Sequence, residues 1–128
     1  MNIEFTAFYA GILSLLYIAL SFKVIKLRRK FKIGIGHGEE NDLHKAIRVH
    51  ANFSEYVPIA LFLLLLLEIN SSEAWILHVL GSMLFLGRIL HVMGLSKSSG
   101  VSRARIFGGV LTFTMIIVAS VLNILVVY

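Results

Sequence analysis

The sequence predicts an all-α integral membrane protein, a four-helix up-and-down bundle forming one domain over residues 1–128. Three observations carry this reading. The chain is 58% hydrophobic and only 15% charged, with a mean hydropathy of +0.87. A soluble domain averages about 25% charged residues, so too few charges are present to cover a surface in water. Four apolar runs are each long enough to cross a bilayer. The lysines and arginines gather at the ends of those runs instead of along one polar face. That is the pattern of topology signals and contact with anionic lipid, not of nucleic-acid binding.

The elements follow in order. Phe5 to Phe22 carries no charge. At about 1.5 Å per residue it reaches roughly 27 Å, close to the hydrocarbon thickness of a bilayer, and predicts a first helix over about 4–27. No positive residue precedes it and no small-x-small site follows, which reads as a span and not as a cleaved signal. Residues 23–42 begin basic, turn glycine-rich at Gly34, Gly36 and Gly38, and end acidic, the composition of a loop. No Gly-Lys-Ser/Thr follows, so the glycines are no phosphate cradle. Asp42 is placed to cap a second helix, expected over about 43–69. Its outer half, Tyr56 to Leu67, is apolar throughout; its inner half carries Arg48, His50, Asn52 and Glu55. Pro58 removes the hydrogen bond to the Ser54 carbonyl and predicts a kink.

Asn70, Ser71 and Ser72 read as a short turn into a third helix over about 74–96, with Arg88 and His91 in its second half. A small basic loop covers about 97–105, and the uncharged run over about 106–128 is the fourth helix. Gly108 and Gly109 are expected to allow close helix packing, and His78 to pack or bond between helices. Trp75 and Tyr128 are expected as interfacial anchors. All twelve lysines and arginines lie in 23–48, in 97–105 or in the inner half of the third helix. By the positive-inside rule both basic loops are cytoplasmic and both termini face the other side.

Charged groups at membrane depth cost about 2.5–3.5 kcal/mol each on insertion scales, and they persist where they pair or perform chemistry. Arg48, Asn52 and Glu55 fall within about 60° of one another on one helix face, with Tyr56 flanking it and His50 pointing away. Counting outward from the Ser71–Ser72 turn puts Glu55 level with Arg88, and Asn52 level with His91. Glu55 and Arg88 then either neutralise each other or share a ligand. Arg48 and Asn52 add a second cation and an amide, more than a structural lock needs, which favours a polar ligand pocket. Its cations are Arg48, Arg28 and Arg29 from the first helix, and Arg103 and Arg105 from the fourth; Glu55 is its anion. A ligand with two carboxylates and one ammonium suits this inventory, since arginine grips carboxylates in a fork. Glutathione has that pattern, as other peptides and dicarboxylates do in part. The chain holds no cysteine, so any sulfur chemistry must come from a ligand. His37, His44, His50, His78 and His91 form no metal-ligand pattern. A small multidrug transporter would need a carboxylate inside the first helix, where this chain has only Glu4 at the very end.

The stretch from Arg48 through His50, Asn52, Glu55 and Tyr56 to Pro58 resembles the second-helix signature of the MAPEG family, membrane-associated proteins in eicosanoid and glutathione metabolism. Val24 to Phe31, with Arg28 and Arg29, resembles the end of the first helix in the leukotriene C synthases of that family, and Gly87 to Gly94 resembles its third helix. Together with the four spans the resemblance covers nearly the whole chain, and the short loops are similar to those of bacterial members and microsomal glutathione transferases. It implies a homotrimer in a bacterial inner membrane with glutathione, as co-substrate, between neighbouring subunits. Arg28, Arg29, Arg48, His50, Asn52, Glu55, Tyr56, Arg88 and His91 are the implied binding residues. Arg103 or Arg105 is the implied stabiliser of the thiolate. Where the synthases carry tyrosines in the third helix, this chain has His91 and Leu95, and Leu95 cannot hydrogen-bond.

The resulting expectation is a glutathione transferase, with peroxidase activity toward lipid hydroperoxides as a variant, taking a hydrophobic electrophile or lipid from the bilayer. The alternative on the same fold is a non-catalytic lipid-binding or scaffolding protein that keeps Glu55 and Arg88 as structure.

Overall fold

A computed structural model describes residues 3–97 and 100–127. It contains four helices, α1 (Glu4–Phe31), α2 (Asn41–Ile69), α3 (Ala74–Lys97) and α4 (Arg103–Val127). All four are long and apolar enough to cross a membrane. Short connections make successive helices antiparallel. α2 and α3 pack on each other and each also meets α1 and α4, whereas α1 and α4 do not touch among the described residues. The core runs along this contact: Leu13 from α1, Leu64 and Leu67 from α2, Leu77 and Leu84 from α3 and Met115 from α4 are all sealed. Large apolar side chains such as Leu15, Phe22 and Ile117 point outward, as they do where the surrounding medium is lipid.

The helix ends differ from the sequence reading for physical reasons. α1 continues through Arg28, Arg29 and Lys30 because cations are favourable at a helix C-terminus. It stops where Lys32 turns left-handed (φ 55°) and the Ile33 amide bonds back to the Arg28 carbonyl at 3.1 Å. The Arg28 guanidinium then gathers the carbonyls of Ile33, Gly34 and Gly36 at 2.9–3.3 Å and folds the glycine loop against the helix end. Asp42 is not the cap of α2: it lies inside the first turn, paired with Lys45 at 3.3 Å. α4 begins at Arg103, because the Ser102 hydroxyl accepts the Arg105 amide at 3.3 Å and starts the helix earlier. α2 runs unbroken through Pro58. Trp75 stands exposed at the start of α3; Tyr128 lies outside the described residues.

One cap comes from a distance. Ile3 offers no side-chain cap to α1; the Glu68 carboxylate, near the end of α2, accepts the Phe5 amide at 2.8 Å and the Thr6 amide at 2.7 Å. Its negative charge also meets the positive end of the α1 dipole. The sequence reading passed over Glu68 because nothing local marks it. Nearby, the Tyr9 hydroxyl joins His78 Nδ1 (3.2 Å) and Ser82 (2.9 Å), which bears out His78 as an interhelical hydrogen-bonding residue.

α3 and α4 approach most closely at glycines. A Cβ on Gly108 would stand 2.5 Å from both the Gly87 carbonyl oxygen and the His91 amide. Gly109, expected to share this role, has open space where its side chain would be and borders a cavity instead. Gly108→Ala is therefore expected to lower stability by about 1–3 kcal/mol through overpacking, while Gly109→Ala leaves it unchanged; thermal unfolding in detergent reads the difference. By the same measurement, Glu68→Ala is expected to cost about 0.5–2 kcal/mol through the lost cap.

Candidate functional site

The polar residues of α2 recur every turn. His44, Arg48, Asn52 and Tyr56 form an i, i+4 stripe on one face. Because each step of four advances about 40° around the helix, the stripe winds toward α3 and α4 as it descends. Asn52 and Tyr56 end up facing those helices. Glu55 lies about 60° back from Asn52, on the flank with Arg48.

This rotation decides which groups pair. Arg48 meets Glu55 at 3.6 Å, with both side chains about half exposed. Arg88, only 2% exposed, donates from Nη1 to Asn52 Oδ1 at 2.8 Å. The anticipated Glu55–Arg88 pair does not form: Glu55 is turned away, and the long arginine side chain reaches the amide one turn along. Arg88 also lies 6.0 Å from the centre of the Tyr56 ring, at the limit of a cation–π contact, and Tyr56 meets the edge of Phe113 at 5.2 Å. The Nε of Arg88 is buried without a hydrogen-bond partner, and no carboxylate pairs with Arg88 among the described residues. Arginine has donors only. The Asn52 oxygen is thus committed to it, and the Asn52 amide nitrogen remains for the space alongside.

Two cavities open on this face. The deeper, about 330 Å³, has Asn52, Tyr56, Arg88, His91 and Thr112 at its polar end and Ile106, Val110 and Phe113 as apolar walls. The shallower, about 170 Å³, is lined by His44, Lys45, Arg48, Asn52, Leu95 and Arg105. Asn52 and Arg105 border both, which joins a cationic mouth to a deeper chamber with a buried cation. The deep chamber presents donors from Arg88, Asn52 and Arg105, and so favours a ligand rich in acceptors or negative charge.

The other candidates fall elsewhere. Arg103 is exposed and lines neither cavity. Glu55 lines neither as well. Arg28 is occupied with loop carbonyls, Arg29 is exposed, and both sit on α1, which does not touch α4. His50 faces α1, as its angle predicted: its Nε2 lies 2.9 Å from the Ser21 hydroxyl and its ring stacks on Tyr17 at 4.7 Å. His44, Lys45, Thr112 and Phe113 were not singled out from the sequence. His44 was findable, since it extends the i, i+4 stripe by one turn. It carries the His37 ring stacked on it at 4.1 Å, which seats the glycine loop beside the mouth.

The model of the MAPEG family matches residues 6–125. Curated relatives in two strains of Escherichia coli, each titled inner membrane protein YecN, are 40% identical over 89 residues, covering 70% of this chain and 68% of theirs.

The Arg88–Asn52 bond is testable as a unit. Asn52→Leu leaves a buried guanidinium without its acceptor and is expected to cost about 1–3 kcal/mol. Arg88→Met added to it is expected to recover much of that loss. A double-mutant cycle on thermal stability checks this; strictly additive losses would show the two groups to be independent.

Proposed function

The chain belongs to the MAPEG family, and on that premise we propose that it is a membrane-bound glutathione transferase acting on hydrophobic electrophiles from the bilayer. The observation that carries the reading is the pair of joined cavities, cationic at the mouth, donor-rich in depth and apolar toward lipid. Glutathione brings two carboxylates for the arginines, an ammonium for a glutamate and a thiol for the chamber. A free thiol has a pKa near 8.5 and is little ionised at neutral pH. Making it about a hundredfold more ionised takes roughly 2.7 kcal/mol of preferential stabilisation of the anion, which an arginine in a partly dehydrated site supplies. The same thiolate serves reduction of lipid hydroperoxides. In this reading Arg48 and Arg105 hold carboxylates at the mouth, and Arg103 lies apart from the chemistry.

The distribution of the remaining candidates supports a site shared between subunits. Arg28, Arg29 and His50 lie on the α1 side of α2, whereas Arg48, Asn52, Tyr56, Arg88, His91 and Arg105 lie on the α3–α4 side. A homotrimer brings these opposite sides together across each interface. It also covers the half-exposed Arg48–Glu55 pair, which is costly against lipid, and lets Glu55 take the ammonium. The basic loops, 32–40 and 98–102 with their flanking helix ends, face the cytoplasm, with both termini across an inner membrane, the location named for the Escherichia coli relatives.

Calorimetry with glutathione and detergent-purified protein tests the reading, together with conjugation of a model electrophile. Saturable binding is expected. Arg105→Ala is expected to weaken it about 10–100-fold, the worth of charge-assisted hydrogen bonds, and Arg103→Ala to change it little. Absence of saturable binding in the unaltered protein would leave the non-catalytic lipid-binding or scaffolding role in its place.

A further inference from the structure

We propose that Arg88, not Arg105, holds the sulfur of glutathione as its anion. The assignment rests on the transferase reading above and names the catalytic group within it. Both arginines line the deep cavity, so position alone does not choose between them; their surroundings do. Arg105 is only partly buried and also lines the shallow mouth, where water reaches it. Arg88 is 2% exposed, fixed through Nη1 on Asn52, and its Nε is without a partner. The attraction between opposite charges about 4 Å apart is roughly four times stronger at the effective dielectric of a protein site than in water. A hydrated cation therefore falls short of the hundredfold gain in thiolate, and a dehydrated one reaches it.

Charge balance points the same way. Glu55 is engaged by Arg48, so the Arg88 cation has no carboxylate beside it among the described residues. A buried charge without a counter-ion is costly, and an incoming anion relieves that cost. The ionisation is simple to balance: the S–H bond breaks, the electron pair stays on sulfur, and the proton leaves to water through the mouth. In the transfer that follows, this pair forms the sulfur–carbon bond and the leaving group departs with its own pair. Ile106, Val110 and Phe113 wall the chamber and are about half exposed on the outer side of α4, so an apolar electrophile arriving from lipid meets the sulfur at the Arg88 end. The two arginines divide the work: Arg105 sets affinity, and Arg88 sets ionisation and hence rate.

The test is the ultraviolet absorption of the thiolate, titrated against pH with the detergent-solubilised protein saturated with glutathione. In the unaltered protein bound glutathione is expected to show about a hundredfold more thiolate than free glutathione at the same pH. Arg88→Gln is expected to lose that gain and Arg88→Lys to keep most of it. Arg105→Gln should need more glutathione to saturate yet, once saturated, show the full signal and an unchanged kcat. Should Arg88→Gln fail to fold, Asn52→Asp answers the question, because a carboxylate beside Arg88 cancels its field while keeping it bonded; the signal is expected to fall. Full thiolate in Arg88→Gln or in Asn52→Asp, or its loss in saturated Arg105→Gln, overturns the assignment. Absence of glutathione binding in the unaltered protein removes the transferase reading itself, a distinct outcome.

Discussion

The site depends on one constraint: a guanidinium sealed among membrane-level helices whose partner is an amide and not a carboxylate. The Arg88–Asn52 bond fixes the register of α2 against α3, orients the Asn52 amide, and leaves a positive charge with nothing to cancel it. An arginine–glutamate pair at the same depth would have been a closed structural lock. Turning Glu55 about 60° aside keeps the charge available, and the winding of a 3.6-residue helix is enough to do it.

The space around that charge is made by contrast on α4. At Gly108 the α3 and α4 backbones nearly touch, and the Thr112 hydroxyl folds back on the Gly108 carbonyl at 2.9 Å, spending its donor within its own helix. One residue on, Gly109 faces open space. Two neighbouring glycines thus serve opposite ends, one bringing helices together and the other leaving a chamber unfilled. The close seam also fixes the start of α4, through the Ser102 cap, beside the end of α3 at Gly94, and that placement sets Arg105 at the chamber's mouth.

Much of this was legible in the residues. Four uncharged runs, basic loops and a short Asn-Ser-Ser turn specify the bundle, because a bilayer admits few other solutions. The angular separation of His50 from Asn52 was readable from helix arithmetic, and it proved to be the division between the two sides of α2. What could not be read was pairing that depends on side-chain reach. Depth counting favoured Glu55 for Arg88, yet a long flexible arginine chose the group facing it over the group level with it. Arg103 and Arg105 were indistinguishable in the sequence because the loop before them fixes no angle; the Ser102 cap settles which of them turns inward. The capping role of Glu68 was invisible, since its partners are 62 and 63 residues away.

That remote cap bears on how the chain is assembled during synthesis. The amides of Phe5 and Thr6 are among the first to emerge from the ribosome, and their acceptor is among the last groups of the second span. Until Glu68 arrives, the leading turn of the first span must satisfy itself with water, so its outer end cannot settle below the headgroups. Completion of the second span then fastens both ends together, and the first two spans become a single hairpin before the site-forming third and fourth are added.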